Sequence, residues 1–256
     1  MKGGISISSV EFRHDTKIVK RFNAQWLRKF LEIVNKFGVH YVELWYPEFV
    51  DSSGVDEAKK LLNEFDIEAA CVSNWISLVG DESEKEIVKT LDIAEKIGSS
   101  FVMGYVGEYK SIGLEAAVKK VISLIEEAEK RKCTLLAEGG HGGLVDLSTH
   151  LNFLEKAKGL KICFDQSIFV YRKIDYKSAI EALKDYIVYT HFQNDKYDVE
   201  GYLKSLDSNK YAGFVTIEPH VQPMPPWGPG WIPEREKPLL EALQKQVLYL
   251  RTKGLK

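Results

Sequence analysis

Residues 134–138 read TLLAE, and the same kind of run, short and apolar with a polar last residue, returns as KICFD (161–165), IVYTH (187–191) and FVTIE (214–218). The last residues of these runs are spaced by 27, 26 and 27 positions, and they are Glu138, Asp165, His191 and Glu218. A strand, a helix and their loops together fill about one such interval. The spacing therefore predicts four consecutive strands whose last side chains recur at one level of a sheet.

The same alternation continues toward the N-terminus. Four earlier runs have strand character, namely GISISS (4–9), YVELW (41–45), IEAACVSN (67–74) and FVMGYV (101–106). Amphipathic helical windows separate the runs, and no linker or low-complexity tract interrupts them. Eight such βα units in 256 residues predict an α/β fold, a single (β/α)8 TIM barrel domain over residues 1–256.

Several helix ends are marked in the sequence. Asn23 is a predicted N-cap, and Ser83 with Glu86 has the spacing of a capping box. Gly98 follows the second of these helices as a predicted C-terminal stop. Residues 220–234, HVQPMPPWGPGWIPE, hold five of the eight prolines, and we predict an ordered loop that arches over the mouth of the barrel.

Composition excludes several classes of partner and location. The formal net charge is -2 with 28% charged residues, so no nucleic acid partner is implied. The three cysteines are far apart and odd in number, which favours a reducing cytoplasmic location. No run approaches the roughly 18 apolar residues of a membrane span or resembles a secretion signal, so we expect no membrane association. A homo-oligomer stays possible.

The four strand-end residues have the chemistry of a metal site. Side chains at the C-terminal ends of barrel strands converge on the top face of the barrel. Three carboxylates gathered there would repel one another unless a cation compensates them. Three acids and one imidazole predict one divalent ion, with Mn²⁺, Mg²⁺ or Co²⁺ favoured over Zn²⁺, which is not excluded.

The motifs resemble those of a known family. TLLAEGGHGG (134–143), KICFD, YTHFQND (189–195) and YAGFVTIEPH (211–220), with YVELW earlier, are similar to the xylose isomerase-like TIM barrels. This group of sugar isomerases and epimerases also includes endonuclease IV. The resemblance implies that the metal ligands are Glu138, Asp165, His191 and Glu218.

The sequence departs from the family pattern beside three of these residues. Gly139, Gly140 and His141 follow Glu138, where the family often has an asparagine and a histidine. Ile168 stands where a histidine usually follows the strand-six aspartate, and the familiar H-x-K-D continues here as His191-Phe192-Gln193-Asn194. These changes bear on substrate contacts more than on the metal.

The predicted reaction is isomerisation or epimerisation of a small sugar or related polyhydroxylated carbonyl compound. A metal ion polarises the carbonyl, and an acid and a base move a proton through an enediolate. The resemblance implies that Glu138 and Glu218 are these catalytic groups. Candidate contacts to the carbohydrate substrate are side chains predicted near strand ends, namely His14, Glu43, Trp45, Trp75, His141, Trp227 and Trp231. Packing or capping roles are common for such residues, and for Glu43 a role behind the metal ligands or as a helix cap is equally expected.

Three other functions stay open on the sequence. One is a metal-dependent dehydratase of the same fold. A second is an endonuclease IV-like nuclease, although the additional histidines and the basic track expected of it are missing. The third is a non-catalytic sugar-binding barrel.

Overall fold

The eight predicted strands form a closed parallel barrel in the order β1 to β8. The structure, a computed structural model, describes residues 4–9, 21–139, 142–144, 146–193, 198–218 and 233–255. The strands are β1 Ile5–Ser8, β2 Tyr41–Trp45, β3 Glu68–Ser77, β4 Phe101–Tyr105, β5 Thr134–Glu138, β6 Lys161–Asp165, β7 Ile187–Phe192 and β8 Phe214–Ile217. The predicted TIM barrel is confirmed.

Helices cover the outside of the barrel. They are α1 Ala24–Lys36, α2 Val55–Glu64, α3 Ser83–Ile97, α4 Leu114–Lys130, α5 Leu147–Lys156, α6 Gln166–Tyr171, α7 Tyr176–Leu183, α8 Val199–Ser208 and α9 Pro233–Thr252. Two of them, α6 and α7, follow the same strand, so the unit after β6 departs from one helix per strand. Within the described residues, none of the helices is long and apolar enough to cross a membrane.

Two of the three predicted helix ends are confirmed, and the predicted capping box is not. The Asn23 side chain accepts hydrogen bonds from the backbone N–H groups of Gln25 and Trp26, as expected of an N-cap. Gly98 ends α3 in the left-handed conformation. The capping box at Ser83 is not formed, because α3 begins at Ser83 itself and its hydroxyl donates to the carbonyl of Gly80.

The barrel encloses a core of its own, separate from the larger core under the helices. An aromatic layer closes its lower end, where Tyr41, Phe101 and Phe214 pack with ring centroids 4.9 Å and 6.3 Å apart. Tyr189 lies on this layer, 5.7 Å from Phe101 and 6.0 Å from Phe214. The ring of His191 in turn lies 6.1 Å from Tyr189. The upper half of the interior is thus supported from below by packed rings.

The strand register staggers the four predicted site residues. Asp165 pairs with His191, but Glu138 pairs with Cys163, two positions before Asp165. His191 pairs with Thr216, two positions before Glu218. Because side chains two residues apart point to the same face of a strand, all four still face the barrel interior. In a closed barrel with tilted strands, residues at one height are displaced by about one residue per strand relative to the pairing, so this register agrees with the prediction of a common level.

Replacing the N-cap of α1 tests the local account of the fold. We expect Asn23→Ala to lower the free energy of unfolding by about 1 kcal/mol, because two backbone N–H groups lose their acceptor. Urea denaturation measures this change. The matched control is Glu82→Ala, at an N-cap whose side chain makes no capping hydrogen bond, and it is expected to stay within about 0.5 kcal/mol of the parent. Equal losses of unfolding free energy in the two variants would contradict the assignment of Asn23 as a stabilising N-cap.

Candidate metal centre

Three of the four predicted ligands come together at the top of the barrel interior. Glu138, Asp165 and His191 are buried, and one ligand atom of each lies within 4.8 Å of the others. Within the part of the chain that the structure describes, this is the group identified as able to hold a metal ion. Their convergence follows from their positions on β5, β6 and β7, which are adjacent in the barrel.

The fourth predicted ligand joins the group through the histidine. Nδ1 of His191 lies 3.0 Å from Oε1 of Glu138 and 3.6 Å from Oε2 of Glu218. Glu218 follows the last residue of β8, and its backbone N–H donates to the carbonyl of Phe192, which extends the β7–β8 pairing by one residue. One ring nitrogen of His191 therefore faces two glutamates at once.

A residue that the sequence did not single out as a site residue links the remaining acids. The side-chain amide of Gln193 donates to Oδ2 of Asp165 at 3.0 Å and to Oε2 of Glu218 at 3.1 Å. The backbone N–H of Ser167 donates to the other oxygen of Asp165 at 2.7 Å, so Asp165 also caps α6. Asp165 therefore caps α6 and belongs to the acidic group at the same time.

Glu43 lies deeper than a substrate contact would. Its side chain is fully buried, and one carboxylate oxygen lies 3.0 Å from Nε2 of His191. The other oxygen accepts from the hydroxyl of Ser8 at 2.9 Å and from the indole N–H of Trp45 at 3.0 Å. The direct bond to a sugar hydroxyl that the sequence suggested does not fit this position, because the carboxylate has no exposed surface.

Two of the predicted tryptophans form an aromatic stack at the barrel mouth. The ring of Trp75 lies 6.2 Å from Trp45 and 4.9 Å from Tyr105, with interplanar angles of 27° and 32°. Trp45 is buried, whereas 46% of Trp75 is exposed. Trp75 thus presents a broad apolar surface, and Trp45 supports it from inside.

The other predicted substrate contacts lie outside the described residues. They are His14, His141, Trp227 and Trp231, and the predicted loop over the mouth (220–234) lies outside as well, apart from its last two residues at the start of α9. What is described of the EGGHGG segment is closely packed. A Cβ on Gly142 would lie 2.0 Å from the carbonyl oxygen of Val106, so the segment lies against the end of β4.

Burial and mutual repulsion shift the proton affinities of the site. Burial raises the pKa of Asp165 to about 6, and the nearby carboxylates of Glu218 and Glu138 act in the same direction. Burial lowers the pKa of His191, but the Cys163 thiol and the carboxylates of Glu43 and Glu218 outweigh it and raise that pKa well above its ordinary value. The Asp165 carboxyl and the His191 ring therefore hold their protons to higher pH than the same groups do in water.

The residues present fit a divalent metal ion. Carboxylate oxygens and one imidazole nitrogen are the donors that Mn²⁺, Mg²⁺ and Co²⁺ accept. Buried acids at hydrogen-bond distance from one imidazole carry negative charge that needs a positive partner in the interior. Glu138, Asp165, His191 and Glu218 are the side chains that would hold such an ion.

Comparison with known proteins identifies similar folds. No protein family model matches the chain, and no curated protein is similar to it in sequence. D-allulose 3-epimerase from Methylomonas sp., solved with D-allulose, superposes with a TM-score of 0.79 at 15% identity over 98% of this chain and 97% of that chain. A xylose isomerase domain protein from Planctomyces limnophilus superposes with a TM-score of 0.72 at 17% identity over 98% and 97%.

A third similar structure carries a different activity in its name. It is the probable 3-DHS dehydratase AsbF of petrobactin synthesis from Bacillus anthracis, with a TM-score of 0.70 at 14% identity over 96% of this chain and 98% of that chain. All three likenesses extend over nearly the whole of both chains. They confirm the predicted (β/α)8 barrel fold.

The raised proton affinities predict how metal binding depends on pH. Below about pH 6 Asp165 is protonated, and His191 holds a proton on each ring nitrogen, so a cation must displace protons to bind. We expect Mn²⁺ affinity, measured by isothermal titration calorimetry, to rise steadily between about pH 5 and pH 8. In Asp165→Asn the affinity should be weaker and its rise around pH 6 shallower. A Mn²⁺ affinity that is constant over this pH range, or greater at low pH, would contradict the assignment of Asp165 and His191 as metal ligands.

Proposed function

We propose that this protein is a divalent-metal-dependent isomerase or epimerase of a small sugar or related polyhydroxylated carbonyl compound. The observation that carries the proposal is the placement of Glu138 and Glu218 on the same ring nitrogen of His191, beside Asp165. This placement supplies a ligand set for a metal ion and two groups able to move a proton. The epimerase named among the similar structures supports the same chemistry.

The two glutamates are the proposed acid and base. A bound divalent ion supplies Lewis-acid polarisation of a carbonyl and compensates the charge of an enediolate. Glu138 ends β5 and Glu218 follows β8, so they reach the site from strands that are three apart in the barrel. In the proposed reaction one carboxylate removes the proton on carbon next to the carbonyl, and the other returns a proton to the opposite face or to the neighbouring carbon.

The aromatic stack is the proposed wall for the carbon skeleton of the substrate. The exposed face of Trp75 matches the apolar C–H face of a sugar, while hydroxyl groups need the polar groups nearer to His191. Trp45 joins the two regions, because its ring packs on Trp75 and its N–H donates to Glu43. A substrate with one polar and one apolar face suits this arrangement.

A dehydratase is the second candidate, because one structure of the same fold is named as a probable 3-DHS dehydratase. Both reactions begin with removal of a proton next to a carbonyl. They differ in the second step, since a dehydratase expels a hydroxide from the adjacent carbon and an epimerase returns the proton. Product analysis therefore separates the two.

Exchange of substrate hydrogen with solvent tests the proposed function. Protein loaded with Mg²⁺ is incubated in D₂O with a panel of ketoses, hydroxypyruvate and inososes, and proton NMR follows the C–H signals next to the carbonyl. We expect deuterium to enter one or more members of the panel, with an epimer or isomer as product and with no exchange after chelation of the metal. Absence of exchange across the panel would contradict the proposal, and an unsaturated product would favour the dehydratase.

Two matched variants separate proton transfer from metal binding. Glu138→Gln and Glu218→Gln each keep an oxygen donor but lose the proton-carrying carboxylate. We expect either variant to lower turnover by about 10²–10⁴-fold while still binding Mn²⁺.

Counting metal by mass spectrometry separates the alternative functions, since one ion per chain fits this site and three ions would favour an endonuclease IV-like nuclease. Tight sugar binding without exchange would favour a non-catalytic barrel.

Truncation of Trp75 tests the aromatic wall. We expect Trp75→Ala to raise KM for the sugar about 10-fold or more with a smaller change in kcat, because the ring contributes binding that ground state and transition state share. Steady-state kinetics measure the two constants. Leu248→Ala, at another exposed apolar side chain on α9, is the control and should change neither. A fall in kcat with unchanged KM would argue against a wall that only binds substrate.

A further inference from the structure

Glu43 is a buried carboxylate whose two oxygens have different partners. Oε1 accepts from the Ser8 hydroxyl at 2.9 Å and from Nε1 of Trp45 at 3.0 Å. Oε2 lies 3.0 Å from Nε2 of His191. Glu43 and His191 have no exposed surface, and Trp45 is 8% exposed, so these bonds are made away from bulk water. Strand β2 thus places a fixed acceptor directly behind the ring of His191.

The partners of Glu43 determine where the ring carries its hydrogen. The indole N–H of Trp45 can only donate, so Oε1 must accept. An ionised carboxylate only accepts, so Nε2 of His191 must donate to Oε2. Nδ1, on the opposite side of the ring, faces Glu138 and Glu218.

We propose that Glu43 is a positioning residue, which holds His191 with a hydrogen on Nε2 and with Nδ1 directed at the metal ion. The inference rests on the proposed function in so far as His191 is a metal ligand. In known metal sites, a carboxylate or carbonyl behind a ligating histidine sets its orientation and raises its basicity. Here Ser8 on β1 and Trp45 of the aromatic stack both donate to that carboxylate and hold it in place.

The arrangement connects the two halves of the site. Trp45 donates to Glu43 with its indole nitrogen and packs against Trp75 with its ring. Ser9 further fixes Trp45, because its hydroxyl accepts from the backbone N–H of that residue at 2.9 Å. The wall that we assign to the substrate and the histidine that we assign to the metal are therefore connected by the ring contact of Trp45 with Trp75 and by the hydrogen bonds of Trp45 and Glu43.

The variant Glu43→Gln tests the inference with little change of shape. A glutamine has one accepting oxygen and one donating NH₂ group, so it cannot accept at both ends of the side chain. If its oxygen faces Ser8 and Trp45, its NH₂ faces Nε2 of His191 and favours the hydrogen on Nδ1, where the metal ion must bind. We expect Mn²⁺ affinity to fall by about 10–100-fold, measured by calorimetry at constant pH. Glu68→Gln, at an exposed glutamate at the start of β3, should bind Mn²⁺ like the parent.

Nitrogen NMR of the parent protein supplies a test that does not depend on the variant folding. With ¹⁵N-labelled histidine and Zn²⁺ as a diamagnetic probe, the His191 signals should show a protonated Nε2 and a metal-bound Nδ1. The opposite arrangement, or unchanged Mn²⁺ affinity in a folded Glu43→Gln protein, would overturn the inference. Neither measurement uses a sugar, so metal binding without substrate exchange would overturn the proposed function and leave the role of Glu43 standing.

Discussion

The structure depends on one electrostatic constraint, which is the gathering of buried carboxylates around the ring of His191. Glu43 faces one side of the ring, and Glu138 and Glu218 face the other. An unpaired carboxylate in the interior costs several kcal/mol, so this arrangement persists only if positive charge or hydrogen-bond donors compensate it. Gln193, Ser8 and Trp45 supply neutral donors, and the remaining negative charge is the basis on which we propose a metal centre.

The barrel accommodates this constraint by separating apolar and polar layers along its axis. The lower interior is filled by aromatic rings, with Tyr189 between that layer and His191. Strand ends with polar side chains occupy the upper interior, where parallel strands bring residues distant in sequence together. The outer core under the helices contains most of the buried apolar side chains, so the polar side chains at the barrel mouth are not needed for the apolar core.

The fold and much of the candidate site could be predicted from the sequence, because the βα unit and the polar residue at the end of its strand both recur along the chain. Over the last four strands one βα unit recurs every 26 or 27 residues, and a polar residue ends each of these strands. The stagger of Glu138 and Glu218 relative to the strand pairing could not be read from that repeat, since it arises from the shear of a closed barrel. The contacts of Gln193 with Asp165 and Glu218, and of Glu43 with Nε2 of His191, could not be read from the sequence for a related reason, because they depend on how the closed barrel brings distant strands together.

The central claim is that Glu138, Asp165, His191 and Glu218 share one divalent ion, and anomalous X-ray diffraction tests it most directly. Crystals grown with Mn²⁺ and measured near its absorption edge would locate every bound manganese. The account predicts one strong anomalous peak in contact with these four side chains, on the Nδ1 side of His191. No peak at this position, or one bound by other residues alone, would contradict it.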